Sequence, residues 1–289
     1  MTKELFKENL LDGLKTRGVT AKITVKNGCE KVEVPTAYHG IVAFIGLSSI
    51  FDAYKEGASL DAIIEHMEAR LNETPSDIVE LRTAIESGCM EKLEVYPALR
   101  SVSKKRVLPD VPFTVIGDTD LVLGWKLRLK EKPQGSAWLT DGLRKYLHIT
   151  QVDFQEAIKN LIGRAELLNV TGQSGMLDLD NEDLYKPLKN PRNDLMFALT
   201  CDAKVEGAAL LAFPEVREQI LKNYPGYRII LPSSVHEVLL EHESSAATKD
   251  DVDYCKWRVK SINNEMVSGQ DFLSNNIYYI EDDGSLKML

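Results

Sequence analysis

The residues of this 289-residue chain whose types and spacing could do chemistry together lie in RIILPSSVHEVLLEHESS, residues 228–245. Ser233, Ser234, His236 and Glu237 crowd there, and serine, histidine and an acid are the parts of a hydrolytic site. A serine nucleophile needs a base within hydrogen-bond reach and a third group that orients that base, and such parts converge from separate loops. If residues 235–241 are extended, Ser234 and His236 share a face with Cα atoms roughly 6.7 Å apart. The ring then lies beside Val238 and Leu240, and Glu237 points the other way. The expectation is therefore structural. Pro232 stops one strand, Ser233 and Ser234 make a polar turn, and a buried strand resumes through Val238, with His236 hydrogen-bonded at its edge. Two alternatives stay open: Ser234 to Glu237 as a capping box that opens a helix, and a hydrolase using Ser234 or His236 with an acid from a distant loop. No residue is assigned a catalytic role; these four form a candidate functional patch.

Metal chemistry finds no spacing to support it. His236 and His242 lie six apart, whereas a zinc-protease helix carries its histidines four apart. Cys29, Cys89, Cys201 and Cys255 are far from one another and read as four reduced thiols. Gly172-Gln173-Ser174-Gly175 lacks the lysine and the helix of a phosphate loop, and no G-x-G-x-x-G occurs. The expectation is no metal and no cofactor. His39, His66 and His148 are isolated in sequence, and Trp125, Trp138 and Trp257 are expected to anchor core packing.

Charge narrows the partners. Forty-four acidic residues against 35 basic give a formal charge of -9, which repels phosphate backbones and anionic lipid heads. Lys104-Lys105-Arg106 is the densest basic run and reads as a solvated loop. Neither nucleic acid nor membrane is expected as a partner. The longest apolar run, Ile41 to Leu47, is far short of the roughly 20 residues that cross a bilayer. The start, MTKELFKENLLDGLK, lacks the apolar stretch of a signal peptide. A cytoplasmic location is the expectation, and at 44% hydrophobic and 27% charged the composition is that of an ordered globular protein.

The elements that must position the patch read as follows. Phe6, Leu10 and Leu14 predict a first helix ending near Arg17-Gly18. AKITVKNG and EKVEVP predict a hairpin turning at Asn27-Gly28. IVAFIG predicts a strand or the entry to a helix. Ser59 caps a helix with Leu60, Ile63, Ile64, Met67 and Leu71 inward, and Thr74-Pro75 opens another with Ile78, Leu81 and Ile85, the two forming an antiparallel pair. KLEVYPAL, PFTVIG and DLVLGWKLRLK predict strands, the last burying Leu121, Leu123, Trp125, Leu127 and Leu129 on one face. Helices are predicted for SAWLTDGLRKYL and for TQVDFQEAIKNLIGRAELL, capped by Thr150 with Asp153. NDLMFALT predicts a strand, GAALLAF a short helix, PEVREQILKNY a helix begun by Pro214, and RIILP a strand. Thr248 with Asp251 caps a helix with Val252, Cys255, Val259 and Ile262 inward, and NNIYYIEDDG closes as strand and turn.

This order gives an α+β fold of antiparallel sheets with helices packed on them, with no doubly wound parallel sheet. Residues 1–90 are expected to form a helix-hairpin-helices part and residues 91–289 a mixed part. The turn-rich stretch 171–193 is the candidate internal boundary.

GAALLAFPEVREQI, IILPSSVHEVLL, VKSINNEM and DFLSNNIYYIEDDG follow one another in an order and spacing that resemble an uncharacterised family, known only as a domain of unknown function, of gut Firmicutes and their mobile elements. VKNG, PTAYHG with DAYKEGASLDAIIEHM, and WLTDGLRKYLHITQVDFQEAIKNL extend the likeness. It is strongest after residue 190. EVYPALRS and LPSSVHEVLL are also distantly similar to a second uncharacterised family, of bacilli. The chain departs from the first family at Lys26-Asn27-Gly28 and at His39. The resemblance implies an intracellular α+β protein whose mobile-element setting suits interference with a host protein, and it carries over no catalytic residue. The expected function is a non-enzymatic protein-binding or regulatory protein; the acidic segments near Asp178 to Asp183 and Asp250 to Asp253 read first as solvated surface and only second as surfaces for a basic partner. The alternative is the hydrolase.

Overall fold

The computed structural model describes residues 2–26, 29–35, 42–72, 76–103, 108, 110–132, 135–171, 180–189, 192–269 and 271–289. Asn27-Gly28, His39, Thr74-Pro75, Lys104 to Arg106, Gly172 to Gly175 and Asp178, which carried expectations above, lie outside the described residues. The chain divides into two compact units, 1–83 and 84–289, and the stretch 171–193 falls inside the second. All ladders between described strands are antiparallel, so the α+β class holds.

In the first unit, helix α1 (Lys3–Thr16) starts at Thr2, whose hydroxyl accepts the Leu5 N–H, and buries Phe6, Leu10 and Leu14. Strands β1 (Lys22–Lys26), β2 (Cys29–Pro35) and β3 (Val42–Gly46) form one sheet in that order. Residues 47–55, which carried no expectation, continue directly from β3 as helix α2 (Leu47–Lys55). Its buried Leu47 and Ile50 close a core against Val32, Val34 and Phe6. Helix α3 (Leu60–Asn72) is capped by Ser59 as expected, and it packs on α1 and α2. Close approach is built in at Gly13, where a Cβ would stand 2.4 Å from Ile64 Cδ1.

Helix α4 (Ser76–Glu86) spans the unit boundary and buries Leu81, while Ile78 is exposed. In the second unit, strands β4 (Leu93–Ser101), β5 (Thr114–Val115), β6 (Leu121–Leu129) and β7 (Ser136–Trp138) form a sheet with β6 between β4 on one side and β5 and β7 on the other. SAW is therefore strand, not helix; helix α5 (Asp141–Tyr146) begins only after the Thr140 cap. The odd-numbered face of β6 packs inward, with Trp125 tilted against Phe154 of helix α6 (Gln151–Ile162). That helix opens with the expected Thr150–Asp153 capping box, but it stops at Gly163, so AELL becomes strand β8 (Ala165–Asn169).

The larger sheet is ordered β14-β13-β11-β12-β10-β8-β9, with β9 (Asp180–Glu182), β10 (Met196–Cys201), β11 (Tyr227–Pro232), β12 (Val238–His242), β13 (Tyr278–Ile280) and β14 (Leu286–Met288). A 3-10 turn at Gly207–Ala212 and helix α7 (Pro214–Asn223) cover one side of it, wholly apolar in the turn and anchored by Val216 and Ile220 in the helix. Helix α8 (Lys249–Met266) begins with the Thr248–Asp251 box and buries Cys255 and Val259. Ile262, expected inward, is 45% exposed.

Trp257 is a further departure. It lies 62% exposed on α8, stacked on Tyr254 at 5.9 Å between ring centroids. An indole in the core costs about 3–5 kcal/mol to truncate, whereas an exposed side chain costs within about 0.5 kcal/mol. Trp257→Ala is expected to unfold in urea at nearly the wild-type midpoint; a loss on the core scale would contradict the exposed position.

Candidate ligand pocket

The second unit holds a cavity of about 360 Å³ lined by Tyr96, Arg100, Lys126, Arg128, Ser136, Val205, Glu206, Val235, His236 and Asp271. An open hollow in the first unit is larger, about 580 Å³, but Ser49 and His66 are its only polar lining side chains among the described residues. Chemistry concentrates in the first cavity.

Strand periodicity builds one wall. Along β4 and β6, alternate residues share a face. The register sets Glu94 opposite Arg128, Tyr96 opposite Lys126 and Ala98 opposite Gly124, and on the other side of β6 pairs Arg128 with Ser136 and Lys126 with Trp138. Rows of charged and aromatic groups thus lie across three strands. Gly124, beside these rows, makes room for two rings, since a Cβ there would stand 2.5 Å from Phe113 and 2.9 Å from Trp138. The Arg128 guanidinium lies 3.5 Å from the Tyr96 ring centroid, a cation on an aromatic face, and its Nε donates to Glu94 at 2.5 Å. The residue is 2% exposed, and its Nη1 has no hydrogen-bond partner among the described residues.

The facing wall comes from the turn after β10. Lys204 and Glu206 both take left-handed backbone, φ 52° and 59°, which is costly for residues with a Cβ. The bend drives the Glu206 carboxylate inward. Arg100 grips it with two bonds of 2.6 Å, Nη1 to Oε2 and Nη2 to Oε1, and Lys126 Nζ reaches Oε1 at 2.5 Å. Burial pushes the Glu206 pKa up, but the hydrogen bonds and charge of Arg100, then of Lys126, outweigh it and hold the carboxyl below its ordinary value. The Tyr96 hydroxyl donates to Val205 O at 2.9 Å, and burial, with Cys201 beside it, raises that phenol far above its ordinary pKa.

The serine-histidine stretch closes the pocket, and not as an extended strand. Residues 233–237 form a turn, and β12 begins only at Val238, so neither the extended backbone nor the helical capping box is present. Ser234 N donates to Glu237 O at 3.2 Å, Ser233 Oγ donates to Glu237 Oε1 at 3.1 Å, and Ser234 Oγ accepts the His236 N–H at 3.0 Å. All three bonds are internal to the turn. His236 alone of the four lines the cavity, with its side chain 37% exposed, instead of lying against Val238 and Leu240. Its Nδ1 accepts the Glu206 N–H at 3.2 Å, which leaves the ring proton on Nε2, 3.3 Å from Asp271 Oδ1. Ser268 in turn donates to Asp271 Oδ2. The bend is fixed from behind by Gly207, where a Cβ would come within 2.5 Å of His236 O.

Residues 3–281 match the model of a family described as a family of unknown function, DUF5688. The chain belongs to that family. Nothing among the curated proteins or the solved structures matches it. For this DUF5688 member the pocket itself must supply the functional argument.

His236 was visible in sequence, but Arg100, Lys126, Arg128, Glu206 and Asp271 were not assembled. One signal for two of them existed: Lys126 and Arg128 sit two apart on a strand whose other face is apolar, so both must share the opposite face. Serine-protease geometry is absent from this turn, since both ring nitrogens of His236 are engaged by groups other than Ser234. The four sequence cysteines are all free thiols, and no cluster able to hold a metal occurs among the described residues.

A carboxyl with a depressed folded pKa contributes stability that is fully present above its unfolded value, about 4.3, and is lost as pH falls through the folded value. Glu206→Gln removes one member of a buried pair, a change worth about 3–5 kcal/mol. It is expected to lower the melting temperature sharply at pH 7, with the gap from wild type shrinking below about pH 4 as the native carboxylate protonates. A gap that is independent of pH would contradict the charge-based hold.

Proposed function

We propose that this protein acts by binding, without bond chemistry, and that its ligand site is the cavity between the β4-β6-β7 wall and the Glu206 and His236 turns. The observation that carries this reading is the commitment of His236: Nδ1 accepts from Glu206 N and Nε2 faces Asp271, so the Ser234 hydroxyl has no base. What remains is a preformed charged recess within the size range of small-ligand sites. Its groups are held by one another, which suits recognition.

A second reading, docking of another protein in a regulatory role, draws support from Tyr254 and Trp257. They form an exposed stack on α8, with the Arg258 guanidinium 5.9 Å from the Tyr254 ring centroid. Tyrosine, tryptophan and arginine dominate binding hot spots. The two readings are compatible, because a ligand in the cavity and a partner on α8 use different residues.

The binding reading expects no labelling of the folded protein by a fluorophosphonate probe. It also expects native mass spectrometry of gently purified protein to show a noncovalently held small molecule that departs on mild activation. Labelling that disappears in Ser234→Ala would establish the hydrolase instead.

A further inference from the structure

Arg128 presents a physical problem that the chain does not solve. Its guanidinium is 2% exposed, its Nε is bound to Glu94, its face is covered by Tyr96, and yet its Nη1 donor meets no acceptor among the described residues. A buried donor on a charged group that is left unmade is among the costlier defects in a folded protein, and each such group calls for an explanation. Here the residue lines a cavity, and because Nη1 itself is closed to solvent, a small shift of the guanidinium is what brings it to an acceptor there. The lining as a whole carries three cationic side chains, Arg100, Lys126 and Arg128, against the two carboxylates of Glu206 and Asp271. Glu94, bound to Arg128, brings the local balance to three cations against three carboxylates, so the recess is neutral in a chain of formal charge -9.

Resting on the reading of this cavity as the ligand site, we infer that it seats an oxyanion, a carboxylate or phosphate group of a small molecule, with Arg128 Nη1 as the anchoring donor. Guanidinium groups bind such oxygens through short charge-assisted bonds, and burial on Tyr96 makes this one rigid and poorly hydrated. Ser136, exposed and directly opposite Arg128 in the β6-β7 register, stands at the same spot and adds a hydroxyl donor. Asp271, bonded to His236 and Ser268, supplies a negative edge that would turn away a ligand carrying its charge at the wrong end.

The position of Ser136 allows a direct test. Residues paired across two antiparallel strands hold their Cβ atoms roughly 4.5–5.5 Å apart, so a carboxylate built at 136 reaches Arg128 and occupies the oxyanion position from within the chain. Sodium phosphate and sodium succinate serve as probes, titrated calorimetrically and by thermal melting against sodium chloride of equal ionic strength. The wild-type protein is expected to bind at least one of them and to melt higher than in chloride. Ser136→Asp is expected to melt higher than wild type without any probe and to lose the probe's effect, and Arg128→Gln to weaken binding about tenfold or more. Phosphate acting alone assigns a phosphoryl ligand, succinate alone a carboxylate. The inference is overturned if neither anion does more than chloride, which would leave Nη1 a buried donor without an acceptor, or if binding persists unchanged in Ser136→Asp. Arg128→Gln could unfold, but the substitution at exposed Ser136 keeps the outcome readable. A neutral molecule found by native mass spectrometry, with no response to either anion, would remove this inference and leave the binding reading in place.

Discussion

The second unit depends on one carboxylate. Glu206 belongs to the turn that follows β10 in the seven-stranded sheet, whereas Arg100 and Lys126 belong to β4 and β6 of the smaller sheet. Three charge-assisted bonds onto one buried side chain therefore clamp two sheets that share no ladder among the described strands. Such a pair adds little net stability over an apolar filling, because both ions lose their water, but breaking it is expensive. Its effect is to fix position. The Tyr96 hydroxyl on Val205 O, and Ser274 and Tyr278 on the Asp120 carboxylate, repeat the cross-sheet theme at two further points.

Placing that carboxylate has a conformational cost. Glu206 and Lys204 are left-handed without being glycine, and such residues persist only where the surroundings over-determine them. Here the same residue is tied at both ends: its side chain by Arg100 and Lys126, its amide by His236 Nδ1. Gly207 follows at once, because the backbone of His236 passes too close for a Cβ. Strain, clamp and close approach fall within Lys204 to Gly207, and together they shape this wall of the recess. The histidine that looked like a strand-edge residue in sequence is part of this shaping.

What the sequence made legible was local. The Thr150–Asp153 and Thr248–Asp251 boxes, the α1 stripe of Phe6, Leu10 and Leu14, and the alternation along β6 all follow from interactions within a few residues, and all are present. Errors arose where local signals compete. Leu47 to Lys55 follows a strand without a break, so its helix had no start signal, and no side-chain cap is made there. AELL prolongs an apolar helical stripe past Gly163, but pairing with β10 claims it as strand. Trp257, expected in the core with the other tryptophans, lies between Lys256 and Arg258, and this charged company fits its exposed place on α8. The pocket was illegible for a different reason: Arg100 and Glu206 are 106 positions apart, and Lys126 and Glu206 are 80 apart, so only the tertiary fold unites them.

The same distinction between local and tertiary contacts bears on the proposed binding role of the His236 turn. For a histidine to activate a neighbouring serine, one ring nitrogen has to face that hydroxyl. In this turn Nδ1 is an acceptor for a backbone amide that cannot give up its proton, and Nε2 faces a carboxylate that is itself held by Ser268. The ring thus serves as a spacer with two polar ends, joining the Glu206 turn to the segment around Asp271. Val235, one residue earlier, donates its amide to Asp271 O at 2.8 Å, so the same two segments are joined by backbone as well. A side chain engaged in that way sets the separation between the pocket's walls, and the clamp of Arg100 and Lys126 on Glu206 holds the same separation from the other side.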